Sequence, residues 1–296
     1  MSIKSRIALL TDGKQIPAAP DGSVLSTLSW EGFTVEKHLL SPGELPEHTI
    51  LDHRLTITTG KTPVNFEFRE KGKWRQVKLV PGSFSMQNHE DLGTPRWLNE
   101  FEFLAIAIKP EFYKKITAAE VDHRLIELIT QRGQLDSHVQ QFSNLLGREL
   151  IHNGGNGRLY GELLSMSFAM YLLNNYSSSE KKITEPKGKL FGLQIKNLLD
   201  YTASHLDQDI SLETLASQVN LSPFHFAKSF KRTTNVSPHQ FVLNFRIEKA
   251  MEMIKNKSQT LTEISHQVGF YDQSHFTNSF KRVVGTTPKK YQKSIS

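Results

Sequence analysis

At 296 residues the chain is long enough for two domains. Its 38% hydrophobic and 22% charged composition is that of a soluble globular protein, and no run approaches the roughly 18 consecutive apolar residues of a membrane span. The 0 cysteines exclude disulfides, thiolate catalysis and Cys-ligated metal, and the N-terminus lacks an apolar stretch fit for a secretory signal, so a cytoplasmic protein is expected. The net charge of +6 is unevenly placed: residues 187–296 hold 15 Lys and Arg against 8 Asp and Glu, whereas residues 1–186 hold 21 against 22. A basic segment on a near-neutral partner is the electrostatic footprint of nucleic-acid binding.

Residues 24–108 read as strands. Val64, Phe66 and Phe68 alternate with Asn65, Glu67 and Arg69, the period of a half-buried strand. Residues 70–73 form a plausible hairpin turn, after which Trp74, Val77 and Leu79 resume. Residues 101–108 are a nearly continuous apolar run that Pro110 ends. Short strands between Gly and Pro turns suggest a small barrel or sandwich.

Residues 111–176 change to helical period. Leu135, Val139, Phe142, Leu146 and Leu150 draw one stripe, which can be a dimer seam or a core face. Leu163, Leu164, Phe168 and Leu172 draw another, and a Gly- and Asn-rich break at 153–157 separates the two. The polar stretch 177–188 reads as a linker. The expected division is therefore an N-terminal domain at 1–176, a linker at 177–188 and a helical domain at 189–296. Ile195, Leu198, Leu199, Thr202 and Leu206 mark the first helix of the last part.

An internal repeat follows. SLETLASQV at 211–219 matches TLTEISHQV at 260–268 with an offset of 49, and HFAKSFKR at 225–232 matches HFTNSFKR at 275–282 with an offset of 50. One supersecondary unit thus occurs twice. In its first helix Leu212, Leu215, Ala216 and Val219 share a face, as do Leu261, Ile264, Ser265 and Val268. Ser211 and Thr260 are caps, and Thr260 with Glu263 makes a full capping box. Ser222 and Asp272 cap the second helices, and Pro223 suits a first helical position. In those helices Phe226, Ser229 and Phe230 face inward, as do Phe276, Ser279 and Phe280. The opposite face is small, polar and basic. This is a helix-turn-helix design, whose outer face enters the major groove. Between the units, a helix from Pro238 to about Lys257 is apolar on two sides, as a rigid spacer buried between two bodies must be.

Residues 190–292 resemble the DNA-binding domain of the AraC/XylS family of bacterial regulators. LSPFHF at 221–226, Arg246, Ile247 and Ala250, GF at 269–270, DQSHF at 272–276 and TPKKY at 287–291 carry the resemblance. It implies seven helices, an activator or repressor role, RNA polymerase as a partner, and an N-terminal effector-binding and dimerising domain that is often cupin-like. The expected architecture is a multi-domain α and β chain: a cupin-like β-barrel plus helices, then an all-α domain with two helix-turn-helix units joined by a linker helix.

By position in the motif, Phe224, Ala227 and Lys228 are base-reading candidates in the first unit. Gln273, Ser274, Thr277 and Asn278 are those of the second, where amides suit adenine edges. Lys231, Arg232, Lys281 and Arg282 are candidates for phosphate contact, or simply solvate helix ends. Arg246 contacts a phosphate or braces the linker helix. His225 and His275 repeat in register, and a local hydrogen-bonding role is expected of them.

In the N-terminal domain Trp30, Phe66, Phe68 and Trp74 are candidates to line an effector pocket, or to fill a core. His38, His48, His53 and His89 lack the paired spacing of a cupin metal site, and His48 and His53 should fall on opposite faces of a strand. No metal, cofactor or catalytic residue is expected. An alternative keeps DNA binding but leaves the N-terminal domain purely oligomeric. An enzyme domain fused to a DNA-binding module is remote, because neither a cysteine nucleophile, a nucleotide-binding glycine loop nor a metal triad is found.

Overall fold

The computed structural model describes residues 3–20, 22–70, 72–89, 91–117, 127–154, 157–178, 190, 192–256 and 259–295. Cα proximity divides the chain into one unit of residues 1–151 with 168–186 and a second of residues 152–167 with 187–296. Most of the 177–188 linker expected from the sequence lies outside the described residues.

The first unit is sheet-rich. Its strands are β1 (Ala8–Thr11), β2 (Lys14–Pro17), β3 (Val24–Trp30), β4 (Phe33–Leu40), β5 (Gly43–Glu44), β6 (His48–Ile50), β7 (His53–Thr58), β8 (Val64–Glu70), β9 (Lys73–Leu79), β10 (Phe84–Gln87), β11 (Leu92–Gly93), β12 (Pro95–Trp97) and β13 (Phe101–Ile108). Helix α1 (Pro110–Ile116), strand β14 (Gln131–Gln134) and helices α2 (Ser137–Ile151) and α3 (Arg158–Tyr176) follow. Three sheets result, with strand orders β14-β10-β7-β13-β4-β3, β11-β6-β1-β2 and β5-β12-β8-β9. Among the described residues no sheet closes on itself by hydrogen bonding, so a sheet-rich unit is seen without a closed barrel.

The two faces of β13 separate two packing layers. Phe101, Phe103, Ala105 and Ala107 join Leu9, Leu40, Val64, Leu79 and Trp97 in a core between sheets. The alternate residues Leu104, Ile106 and Ile108 are equally buried, and on that side the neighbouring strands carry Phe33, Leu55 and Ile57. Phe33 meets Phe112 of α1 at 5.9 Å, and Phe84 meets Tyr176 of α3 at 5.4 Å. A strand covered on both faces needs no alternation, which is why 101–108 is continuously apolar.

The stripe on α2 is a core face of its own unit. Val139, Phe142, Leu146 and Leu150 are buried, and Phe142 stacks on Phe168 at 4.9 Å. Leu135 precedes the helix and is exposed. Asp136 opens α2 by accepting the backbone N–H groups of His138 and Val139, and it also accepts the Tyr171 and Tyr176 hydroxyls. These bonds hold its carboxyl below the usual range against the opposing effect of burial.

The second unit is helical: α4 (Leu193–Ser204), α5 (Leu212–Ser217), α6 (Pro223–Thr234), α7 (Pro238–Asn256), α8 (Leu261–Gln267), α9 (Gln273–Val284) and α10 (Pro288–Ser294). The first turns of α3, up to Ser167, count with it. Among the described residues no helix is long and apolar enough to cross a membrane.

Candidate nucleic-acid interface

Each repeat folds as two short helices joined by a tight turn. Ser211 accepts the Thr214 N–H at 3.1 Å and starts α5. Thr260 and Glu263 close a capping box at the start of α8. Ser222 and Asp272 cap α6 and α9 by accepting the N–H groups of His225 and His275, and Pro223 occupies the first turn. Both second helices end on a left-handed residue, Asn235 at φ 60° and Gly285 at φ 84°. Local chemistry thus fixes both ends of α6 and α9, whatever their outer faces carry.

The spacer α7 buries two faces. Phe241 meets Phe230 at 5.3 Å on the side of the first helix-turn-helix repeat. Leu243, Ile247, Ala250 and Ile254 join Ile264, Val268, Phe270, Phe276 and Phe280 in the core of the second. Arg246 braces this junction. Its Nη2 donates to the Gln208 carbonyl at 2.7 Å, and its guanidinium lies 6.0 Å from the Phe270 ring. The partner is a backbone carbonyl and not a carboxylate.

Gly269 turns the chain beneath this arginine at φ 79°, and a Cβ there would collide with the Leu206 carbonyl and lie 2.8 Å from Arg246 Nη2. Gly269→Ala is expected to lower stability by about 1–3 kcal/mol from backbone strain, with the displaced Leu206 carbonyl adding to the loss. Thermal denaturation checks this, and an unchanged Tm would contradict the packing described.

The outer faces of α6 and α9 are open. Phe224 is 72% exposed, Lys228 is exposed and Ala227 is half-buried. On α9, Gln273, Ser274 and Asn278 are exposed and Thr277 is half-buried. Lys231, Arg232, Lys281 and Arg282 project from the last turns of the two helices, all exposed. A cleft of about 510 Å³ runs beside both helices, with Ala227 of α6 and His275 of α9 in its walls and Val242, Leu243 and Arg246 contributed by α7. The two candidate reading helices therefore border one cleft.

His225 shares a hydrogen bond with its cap, Ser222, at 2.8 Å, and His275 sets its ring edge-on to Phe270 at 5.2 Å. Tyr271, 92% exposed beside the cap Asp272, is the residue inserted in the second turn and has no counterpart in the first repeat, where Leu221 corresponds to Phe270: the two donate their N–H groups to the Ala216 and Ser265 carbonyls.

The aromatic candidates of the sheet-rich unit divide. Phe66 and Phe68 line a cavity between the sheets, but Trp30 and Trp74 do not. In the β8–β9 pairing Trp74 lies opposite Arg69, while Phe66 lies opposite Val77. Trp74 therefore shares the outer face with Glu67, where Arg96 lies over its ring at 4.4 Å. Trp30 lies opposite Phe33 at the far end of β3. The cavity has a volume of about 60 Å³, and Arg54, Arg132 and His48 are in its wall. The sequence reading did not single out those arginines. Arg54 alternates with the buried His53, Leu55 and Ile57 and so reads in the sequence as an outward charge, whereas its pairing with Ala107 of β13 puts it on the face of the core between sheets.

His48 and His53 occupy different strands in different sheets, because residues 51 and 52 end β6 before β7 begins. Opposite faces of one strand therefore do not describe them. His48 Nδ1 bonds the Pro46 carbonyl at 2.8 Å. His53 packs against His89 at 4.9 Å, and burial pushes its pKa down to about 4. His38 bonds Glu36 at 3.0 Å. Among the described residues no group of three His, Cys, Asp or Glu side chains is placed to hold a metal ion.

Comparison with known proteins agrees with this geometry. A family model described as a helix-turn-helix domain matches residues 215–294. The C-terminal part of the chain is an AraC-type helix-turn-helix domain. A probable transcriptional regulator, LumQ of Photobacterium leiognathi, is 29% identical over 158 residues, covering 53% of this chain and 61% of that one. The MmsAB operon regulatory protein of Pseudomonas aeruginosa is 32% identical over 103 residues, covering 35% of this chain and 34% of that one. The chain therefore spans less than two thirds of either relative. The C-terminal domain of AraT, a response regulator from Geobacillus stearothermophilus, is a similar solved structure with 27% identity and a TM-score of 0.33, covering 34% of this chain and 84% of that one.

Proposed function

We propose that the protein is a sequence-specific DNA-binding transcription regulator whose sheet-rich unit takes a small effector. The observation that carries the DNA reading is the placement of α6 and α9 beside one cleft, each with an exposed polar or basic outer face. Two such helices suit successive major-groove segments about one turn, roughly 34 Å, apart. In the first unit Lys228 reaches a guanine edge, Phe224 covers a thymine methyl and Ala227 admits a base pair. In the second Gln273 and Asn278 pair with adenine edges, and Ser274 and Thr277 complete the contact. Lys231, Arg232, Lys281 and Arg282 hold phosphates and set the register. The resemblance to AraC/XylS regulators adds a homodimer, a cytoplasmic location and RNA polymerase as partner. The cavity at Phe66 and Phe68 supports the effector.

The test is competition. Duplexes enriched from a random pool by the full chain should bind at least about a thousandfold tighter than bulk duplex at physiological salt. Equal affinity for both pools would contradict the reading. On the enriched duplex, Asn278→Ala is expected to relax preference at one base pair by about 1–3 kcal/mol and leave the other half of the site unchanged. Fluorescence anisotropy over the four base-pair variants at each position measures this.

A further inference from the structure

The cavity of the sheet-rich unit has two unlike walls. On one side are Phe66, Phe68 and Leu79 of the β8–β9 hairpin. On the other, Arg54 and Thr56 of β7 lie opposite Gln87 and Ser85 of β10, so four polar side chains form one patch. Arg132 joins that wall from β14, the strand next to β10. No Asp or Glu lines the cavity.

The two guanidinium groups are poorly engaged. Arg54 Nε is buried without a hydrogen-bond partner. Among the described residues Arg132 donates to the Met86 and Gln131 carbonyls, at 3.4 and 3.3 Å, and lies 5.0 Å from the Phe68 ring. Among the described residues neither arginine forms an ion pair. Glu36, the carboxylate whose charge acts on Arg54, is already taken up. It accepts from the Ser5 hydroxyl, the Arg6 N–H and the Thr27 hydroxyl, and it bonds His38.

A buried guanidinium N–H without an acceptor, as at Arg54 Nε, is unfavourable, and Arg132, half-buried on two long carbonyl bonds with the charges of Asp91 and Glu70 acting on it, faces the same space. Guanidinium forks match the two oxygens of a carboxylate, and the facing aromatic and aliphatic side chains match an apolar body. We infer that this cavity binds an apolar monocarboxylate, its carboxylate held by Arg54 and Arg132 and its apolar body against Phe66, Phe68 and Leu79. Thr56, Ser85 and Gln87 supply further polar atoms at the same end. This deepens the effector reading proposed above, and it rests on that reading only for its regulatory consequence.

The test uses the full chain without DNA. Octanoate and 2-naphthoate are compared with their neutral counterparts, 1-octanol and 2-naphthalenemethanol, by thermal denaturation and titration calorimetry. The acids should raise the Tm at millimolar concentration and the alcohols should not. Arg132→Gln and Arg54→Gln should each weaken acid binding tenfold or more, and Arg132→Lys should restore part of it. Arg132 is only half-buried, so its variants keep the test valid if Arg54→Gln fails to fold. Equal shifts from acids and alcohols, no shift from either acid, or acid affinity unchanged in the Arg132→Gln variant would each overturn the inference. Acid binding that leaves affinity for the enriched duplex unchanged would instead remove the regulatory reading and keep the site.

Discussion

Replacing Lys231, Arg232, Lys281 and Arg282 together by Gln is expected to flatten the salt dependence of DNA binding by about 3.6 in slope, at about 0.9 per phosphate contact. All four side chains are exposed in the last turns of α6 and α9. Each neutralised phosphate releases counterions, so the loss is electrostatic and shared by all sequences. Between 50 and 200 mM salt the unaltered chain should lose about 150-fold more affinity than the variant, as a fourfold salt change raised to that slope difference requires. Preference among base pairs should survive, because the base-reading side chains remain. Folding should change little, since single cations at helix C-termini contribute only about 0.3–1 kcal/mol. Titrations at four salt concentrations measure the slope. An unchanged slope would mean that these residues only solvate the helix ends.

Phe280→Ala should have the largest effect on stability, about 3–5 kcal/mol. The ring is fully buried. It contacts Phe276 and Tyr291, each at 5.7 Å, within the core built on α7. A domain is stable by only about 5–15 kcal/mol, so the second unit should lose much of its ordered population at physiological temperature. Phe230 packs on Phe226 and Phe241, at 5.4 and 5.3 Å, on the side of the first helix-turn-helix repeat. Phe280→Ala and Phe230→Ala therefore remove different packing and should erase different halves of the bound site. Denaturant unfolding and anisotropy on split sites check both statements. A loss below about 1 kcal/mol for Phe280→Ala would contradict the packing described.

The helical unit was largely legible because its signals are local and occur twice. Caps at Ser211, Ser222, Thr260 and Asp272 lie where hydroxyl and carboxylate residues precede apolar periodicity, and each accepts a backbone N–H. The two apolar sides of α7 announced a helix buried between two bodies. The sheet-rich unit was harder, because strand pairing is non-local. The β1–β2 hairpin lay before the stretch read as strands, although Asp12 and Gly13, at φ 48° and 72°, form the two-residue turn that such a pair of residues favours. Strand β14 has no apolar alternation and is held by pairing with β10. Trp74 was grouped with Phe66 and Phe68 by residue type, whereas its parity relative to Val77 and Leu79 already placed it on the other face. The cavity combines strands from different sheets, so its arginines were visible only as isolated charges.

The most direct test of two base-reading units on one rigid spacer is to align the duplexes that the full chain selects from a random library. Two half-sites should emerge at one fixed spacing of about ten base pairs, centre to centre. A single short motif, or two halves at variable spacing, would contradict it.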